Sequence, residues 1–218
     1  MKYMKKIISI LALGISLNCA YADDTTIVVT AKNCEANTPC NVIKTSGTVL
    51  SQAVNNNYSN KQTMTMIQNS ILPQFDFTLM TRLAMGANWK QATTDQQTQV
   101  TNLFKQMLVN SYASALSKFK GADVAITNSN IVGDKQNKAI VNSTITMPNA
   151  DNKSQPINVE YDLAKIDNNW KIYDVKIENA SIVTTYRNQF NDIIQKNGID
   201  GLIGQLQTKV DTLKKNNG

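Results

Sequence analysis

The stretch Ala139-Ile140-Val141-Asn142-Ser143-Thr144-Ile145-Thr146-Met147 decides the fold class. Ala139, Val141, Ser143, Ile145 and Met147 share one parity, as a half-buried strand requires, because successive side chains of a strand point to opposite faces. The same period recurs on both sides. Val124 and Ile126 alternate upstream; downstream, Ile157, Val159, Tyr161 and Leu163 alternate against Asn158, Glu160 and Asp162. A fourth run starts on Trp170 and Ile172 but finishes on Tyr173, Val175 and Ile177, the other parity. That switch predicts a bulge, or a strand covered on both faces. Gly133-Asp134, Asn149 to Gln155 and Asp167-Asn168-Asn169 are short turn-forming connections, so the four strands form an antiparallel meander.

Outside this block the period is 3.6. Val42, Val49, Leu50, Ala53 and Val54 share one helical face. Met64, Ile67 and Ile71 mark a second helix, expected to stop before Pro73, since the residue preceding proline is pushed out of the α region. Phe77, Met80, Leu83 and Ala84 mark a third, starting near Asp76. Thr94 with Gln97 reads as a capping box. It opens a long helix whose stripe is Val100, Leu103, Phe104, Met107, Leu108, Ser111, Ala115 and Phe119, ended by Gly121. After the strands, Val183, Tyr186, Phe190, Ile193 and Ile194 form a stripe closed by Gly198. Asp200 is then expected to cap a last helix carrying Leu202, Ile203, Leu206, Val210 and Leu213. The expected fold is α+β: a helical subdomain plus a twisted four-stranded antiparallel sheet, in the order helices–four strands–helices.

The chain has 218 residues, formal charge +6, three Cys and no His. Its start resolves the charge. Lys2, Lys5 and Lys6 precede an uncharged apolar run, Ile7 to Leu17, too short to span a bilayer. Ala20-Tyr21-Ala22 supplies a cleavage site. Residues 1–22 therefore read as a secretory signal peptide cleaved after Ala22, which makes the mature protein exported. The leader lysines carry half the charge, leaving +3. The two arginines, Arg82 and Arg187, belong to no cluster, so nothing points to nucleic acid. Cys34 and Cys40 stay in the mature chain. In an oxidising compartment such a pair reads as a disulfide, credited with ~2 kcal/mol for so short a loop and stapling a local turn around Pro39. Two unpaired thiols in a flexible segment are the other reading. The expected organisation is the leader, an N-terminal appendage over 23–41 with a β-prone patch at Thr25 to Thr30, and one domain over 42–215.

Zero His removes Ser-His-Asp and Cys-His catalysis and His-ligated zinc. Phosphate-loop, G-x-S-x-G and calcium-loop patterns do not occur, so no cofactor or metal is expected. Asp174 and Glu178 would share a strand face but stand roughly 13 Å apart, too far for one dyad. Tyr173 beside Asp174 would suit a cavity enzyme that polarises a carbonyl; the plain alternative is strand-face packing beside a solvated carboxylate. Met64, Met66, Met80, Met85 and Met107, near Phe75, Phe77 and Trp89, suit either a core or an adaptable apolar pocket.

Several segments go further. Ile71-Leu72-Pro73-Gln74-Phe75-Asp76-Phe77 leads into Met80-Thr81-Arg82-Leu83-Ala84-Met85-Gly86, then Trp89-Lys90-Gln91-Ala92-Thr93 and Tyr112-Ala113-Ser114-Ala115-Leu116. Downstream stand Trp170-Lys171-Ile172-Tyr173-Asp174-Val175, Glu178-Asn179-Ala180-Ser181-Ile182-Val183, Tyr186-Arg187-Asn188-Gln189-Phe190 and Gly198-Ile199-Asp200-Gly201-Leu202. From about residue 42 to about 213 the chain closely resembles the MlaC / toluene-tolerance Ttg2 family of periplasmic phospholipid-binding proteins. The N-terminal segment with Cys34 and Cys40 lies outside that pattern.

The resemblance implies a nuclear-transport-factor-like sheet joined to helices, and a soluble, monomeric, non-enzymatic phospholipid carrier. Its partners would be an outer-membrane lipoprotein–porin complex and an inner-membrane ABC transporter complex with an MCE domain, in the maintenance of outer-membrane lipid asymmetry. Hydrating an acyl methylene costs about 0.8 kcal/mol, so two exposed tails would cost more than ~20 kcal/mol. The tails must be enclosed, in a pocket toward the upper end of about 300–1,000 Å³. Its expected walls are Leu72, Phe75, Met80, Leu83, Leu108 and Tyr112 from the helical block. The sheet would add Val141, Ile145, Val159, Tyr161, Tyr173 and Val175, and the C-terminal helices Tyr186, Phe190 and Leu202. Arg82 and Arg187 would contact a head-group phosphate or an acidic partner, or else form ordinary helix-surface ion pairs. A cavity enzyme on the same sheet, using Tyr173 and Asp174, and an exported interaction module without ligand are the alternatives.

Overall fold

The computed structural model describes residues 28–31, 34–56, 58–116, 122–147 and 156–217. The leader, Phe119, Gly121 and the Asn149 to Gln155 connection lie outside the described residues, as do the side chains of Val54, Tyr112 and Ala115.

The four alternating runs form the expected meander. They are β2 (Asp123–Val132), β3 (Lys138–Thr146), β4 (Ile157–Ile166) and β5 (Asn169–Ile177), each antiparallel to the next. The sheet, however, has six strands rather than four, in the order β1 to β6. β1 (Val28–Ala31) lies parallel to β2, pairing Val28 with Asp123 through Ala31 with Ile126, so part of the appendage belongs to the sheet. β6 (Ala180–Ser181) pairs with Lys176 and Ile177 of β5. Two residues are too few to reveal a period, and β1 finds its partner only beyond the whole helical block.

The parity switch is a bulge. Leu163 pairs with Ile172 while Asp162 pairs with Asp174, leaving Tyr173 as the extra residue of β5. Its effect is to keep Trp170, Ile172, Val175 and Ile177 on one face. Without it the alternation would carry Asp174 and Lys176 into that apolar face.

α1 (Pro39–Asn55) begins three residues before Val42, with proline at its first position, where a missing N–H costs nothing. α2 (Asn60–Met66) is opened by a Ser59–Gln62 capping box. It widens into a π turn over Ile67–Ile71 and then tightens into a 3₁₀ turn over Leu72–Gln74, with Pro73 at the latter's second position. α3 (Phe77–Met85) is capped by Asp76, which accepts from Leu79 N at 2.8 Å. A 3₁₀ turn, Gly86–Gln91, leads to α4 (Thr94–Leu116). Here the capping box sits one residue earlier than expected: Thr93 Oγ1 accepts from Gln96 N, and Gln96 Oε1 accepts from Thr93 N. Gln97 instead donates to Trp89 O and Ala92 O. α5 (Ile182–Asn217) breaks at Gly198 (φ 68°, ψ −178°), the expected boundary between two helical halves.

The core has two parts. Met80 and Ala84 of α3, Phe104 and Leu108 of α4, and Tyr186, Phe190 and Leu202 of α5 belong to a helical core. Phe104 meets Tyr186 and Phe190 edge-on, with centroids 4.9 and 5.1 Å apart. In the second part Cys40 and Ile43 of α1 lie with Ala139, Val141, Leu163, Trp170 and Ile172 of the sheet. Cys34 and Cys40 form a disulfide with Cα atoms 5.4 Å apart. Cys40 is 4% exposed in the sheet core, so the bridge is moored to that core and does more than staple a turn.

Candidate functional site

Strand pairing defines an inner sheet face row by row. Ala139, Leu163 and Ile172 form one row; Val141, Tyr161 and Val175 the next; Ser143, Val159 and Ile177 a third; Ile145 and Ile157 a fourth. Directly paired residues point the same way. Val141, Leu163 and Ile172 are fully buried, in one cluster with residues of α1. Tyr161, Val175, Ile177, Ile145 and Ile157 stay half-buried, so apolar surface on this face is left partly open.

Of the expected pocket residues, Met80, Leu108, Tyr186, Phe190 and Leu202 lie in the helical core, with Leu83 half-buried against it. Val141 belongs to the sheet cluster, and Tyr161 packs on it. Phe75 and Val175 touch both clusters. Phe75 is held there by its own segment. It bridges Ile172, Asp76 N donates to Ile172 O at 2.9 Å, and Lys171 Nζ donates to Pro73 O at 2.6 Å. Its ring stacks on Phe77 with centroids 5.5 Å apart. Leu72 is half-buried in the preceding turn, Val159 and Ile145 lie on the inner face, and the Tyr112 side chain is outside the described residues. Tyr173 departs from the inner-face expectation, because it is the bulge residue. Its hydroxyl is pushed up in pKa by burial and by the nearby charge of Asp162.

The outer face carries charge. Lys176 Nζ lies 2.6 Å from Glu160 and 3.0 Å from Asp162, and Asn142 donates to Glu160 at 3.2 Å. Burial works to lower the Lys176 pKa, but its bonds to Glu160 and Asp162 outweigh that and hold it above its ordinary value. Glu160 is lowered by the Lys176 bond, whereas Asp162 is raised because burial outweighs the same cation.

Asp174 is not a solvated carboxylate. It is 5% exposed and accepts three hydrogen bonds: from Val175 N at 2.8 Å, Val183 N at 3.0 Å and Ser181 Oγ at 2.6 Å. Ser181 Oγ in turn accepts from Thr184 N at 2.9 Å. The carboxylate thus satisfies one orphan donor at the start of α5, Val183 N, and holds Ser181 against a second, Thr184 N, at a helix end whose dipole also favours it. Glu178 turns elsewhere, in a left-handed turn (φ 48°), and accepts from Asn158 N. The two carboxylates do not converge.

The arginines are exposed, and among the described residues neither forms an ion pair. Arg187 Nε donates to Leu83 O at 2.8 Å, closing the C-terminal end of α3, and its chain passes over Gly86. That contact joins residues 104 positions apart and has no local sequence signal. Among the described residues no group of His, Cys, Asp and Glu could hold a metal, and no helix is long and apolar enough to cross a membrane.

The MlaC protein family model matches residues 42–208. The intermembrane phospholipid transport system binding protein MlaC of Haemophilus influenzae is 23% identical over 145 residues, 66% of each chain. Toluene tolerance protein ttg2D of Pseudomonas putida is 27% identical over 123 residues, 54% of each. The chain thus spans just under two thirds and about half the length of these two curated relatives. A phospholipid-binding protein from Ralstonia solanacearum, solved in complex with a phospholipid, shares the fold with a TM-score of 0.71 at 29% identity. That match covers 81% of this chain and 99% of that one. With the family pattern running through helices, meander and C-terminal helix alike, this chain belongs to the MlaC family.

Proposed function

We propose that this chain is a periplasmic phospholipid carrier, monomeric and non-enzymatic. It encloses acyl tails between the inner sheet face and the helices. It passes lipid between an outer-membrane lipoprotein–porin complex and an inner-membrane ABC transporter complex with an MCE domain, and so maintains outer-membrane lipid asymmetry. The observation that carries this reading is the half-open inner face. Tyr161, Val175, Ile145 and Ile177 present half-buried apolar surface, with Val175 packed against both hydrophobic clusters, on a fold whose solved relative holds a phospholipid. Removing that surface from water is what a tail does at about 25 cal/mol per Å². The remaining expected pocket residues, apart from the bulge residue Tyr173, back the walls on either side, and exposed Arg82 takes the head-group phosphate. The engagement of Asp174 at the α5 N-terminus and the lack of His support carriage over chemistry.

The test is native purification from a bacterial periplasm followed by extraction and mass spectrometry. Near-stoichiometric phospholipid is expected. Val175→Trp, which fills the space beside Tyr161, should lower the loaded fraction without unfolding the protein. A protein that emerges clean and takes up no lipid from vesicles refutes the reading.

A further inference from the structure

Among the described residues, one buried side-chain polar atom stands without a hydrogen-bond partner, and it lies on the inner face. Ser143 is 2% exposed, and its Oγ is buried with no partner within hydrogen-bond geometry. Its cross-strand neighbours are Ile126 and Val159, both apolar. On the adjoining row stands Tyr161, a diagonal neighbour of Ser143 across β3 and β4; burial raises the pKa of its hydroxyl and Ser143 opposes that rise, although the pair falls outside hydrogen-bond geometry. A buried hydroxyl without a partner is destabilising, and native structures keep few of them. An alanine at 143 would continue the apolar face at no such cost.

We propose that Ser143 Oγ, with the Tyr161 hydroxyl beside it, is a hydrogen-bond site for an ester carbonyl of the bound lipid. Acyl tails are smooth and give a carrier nothing by which to set their depth. An ester carbonyl accepts hydrogen bonds and cannot donate them. Ser143 donates its O–H to that oxygen, and Tyr161 supplies the second hydroxyl of the pair. In an apolar surrounding such a bond is stronger than at the surface. The site therefore recognises acyl-ester lipids over ether-linked ones and fixes where along the lipid the glycerol backbone stops. This rests on the carrier reading.

The experiment compares diacyl phosphatidylethanolamine with its dialkyl ether counterpart of equal chain length, competing to load the delipidated mature protein from vesicles. The intact protein is expected to favour the ester lipid about fivefold, the ratio one net hydrogen bond supplies. In Ser143→Ala the ratio should fall to about one, with a melting temperature no lower than the parent's. Tyr161→Phe should give an intermediate ratio and controls for any local repacking at 143. Equal loading of both lipids by the intact protein overturns this inference and leaves the carrier reading standing; it is also the result expected if a water simply fills the site. A preference that survives Ser143→Ala overturns it too. Loading of neither lipid overturns the carrier reading, and this inference with it.

Discussion

Asp174→Ala takes the acceptor from three donors at once: Val175 N, Val183 N and Ser181 Oγ, at 2.8, 3.0 and 2.6 Å. The site is 5% exposed, so water replaces the lost bonds poorly. A hydrogen bond to a charged group contributes about 1.5–3 kcal/mol net. The bond to Val175 joins adjacent residues and holds nothing distant, so the Val183 and Ser181 bonds dominate. With partial recovery by water the cost is ~3–4 kcal/mol. At about 2–4 °C per kcal/mol for a domain of this size, the melting temperature falls by ~6–15 °C. Asp174→Asn keeps an oxygen for Val183 N and sets an amide against Ser181, so it should cost only ~1–2 kcal/mol. Thermal melts followed by circular dichroism measure both. Amide exchange at residues 183–186 localises the effect, since the first turn of α5 should open first. Melting of Asp174→Ala within ~2 °C of the parent would refute this capping role. So would equal losses for the two variants. Either result would reopen the reading of Asp174 as a cavity acid.

Lys176→Met should turn the contribution of Glu160 on acidification from a loss into a gain. The Lys176 bond holds Glu160 below its unfolded pKa, a stabilisation present above that value and lost as pH falls. Without the cation Glu160 joins Asp162 above its unfolded value, the fold then binds more protons than the unfolded chain, and stability rises on acidification. Melts between pH 7 and 4.5 should therefore converge on the parent's, and parallel slopes refute the account. Reduction of Cys34–Cys40 should lower the melting temperature by ~4–8 °C, from about 2 kcal/mol of loop entropy. Cys40→Ser should exceed Cys34→Ser because Cys40 is the one seated in the sheet core; scanning calorimetry ranks them. Gly86→Ala places a side chain at φ 57°, ψ −131° and should cost ~1–3 kcal/mol by denaturant titration, although the nearest Arg187 atom is a comfortable 3.9 Å away.

The meander was readable because each strand has one buried face, and the bulge because its apolar residues change parity at Tyr173. The Gly198 break and the Asp76 cap carried equally local signals. The capping box of α4 was ambiguous by nature. Thr93-Thr94-Asp95-Gln96-Gln97 holds two overlapping boxes, and the choice falls to Gln97, which is spent on Trp89 O and Ala92 O. What could not be read is what joins distant positions: β1 on β2, Arg187 on Leu83, Asp174 on Val183. Periodicity reports which face of an element is apolar. It says nothing about whether a carboxylate beside a bulge meets water or a helix terminus, nor which apolar residues pack solidly and which stay half-open. Most of the expected pocket residues accordingly divide between the helical core and the inner sheet face, with Phe75 and Val175 at the seam and Tyr173 set apart at the bulge.

The disulfide bears on the order in which the molecule assembles. β1 must reach a strand that follows it across the entire helical block, a long closure whose entropy falls on the last step. Once Cys34 is joined to Cys40, the residues just after β1 are tied to the start of α1, and Cys40 lies in the sheet's own core. β1 then arrives together with α1, on a shorter and stiffer tether than the open chain gives. An uncovered outer strand offers its free backbone groups to any neighbouring chain. The bridge shortens that exposed interval, so the chain oxidised before it folds should leave fewer molecules paired edge to edge than the chain oxidised after.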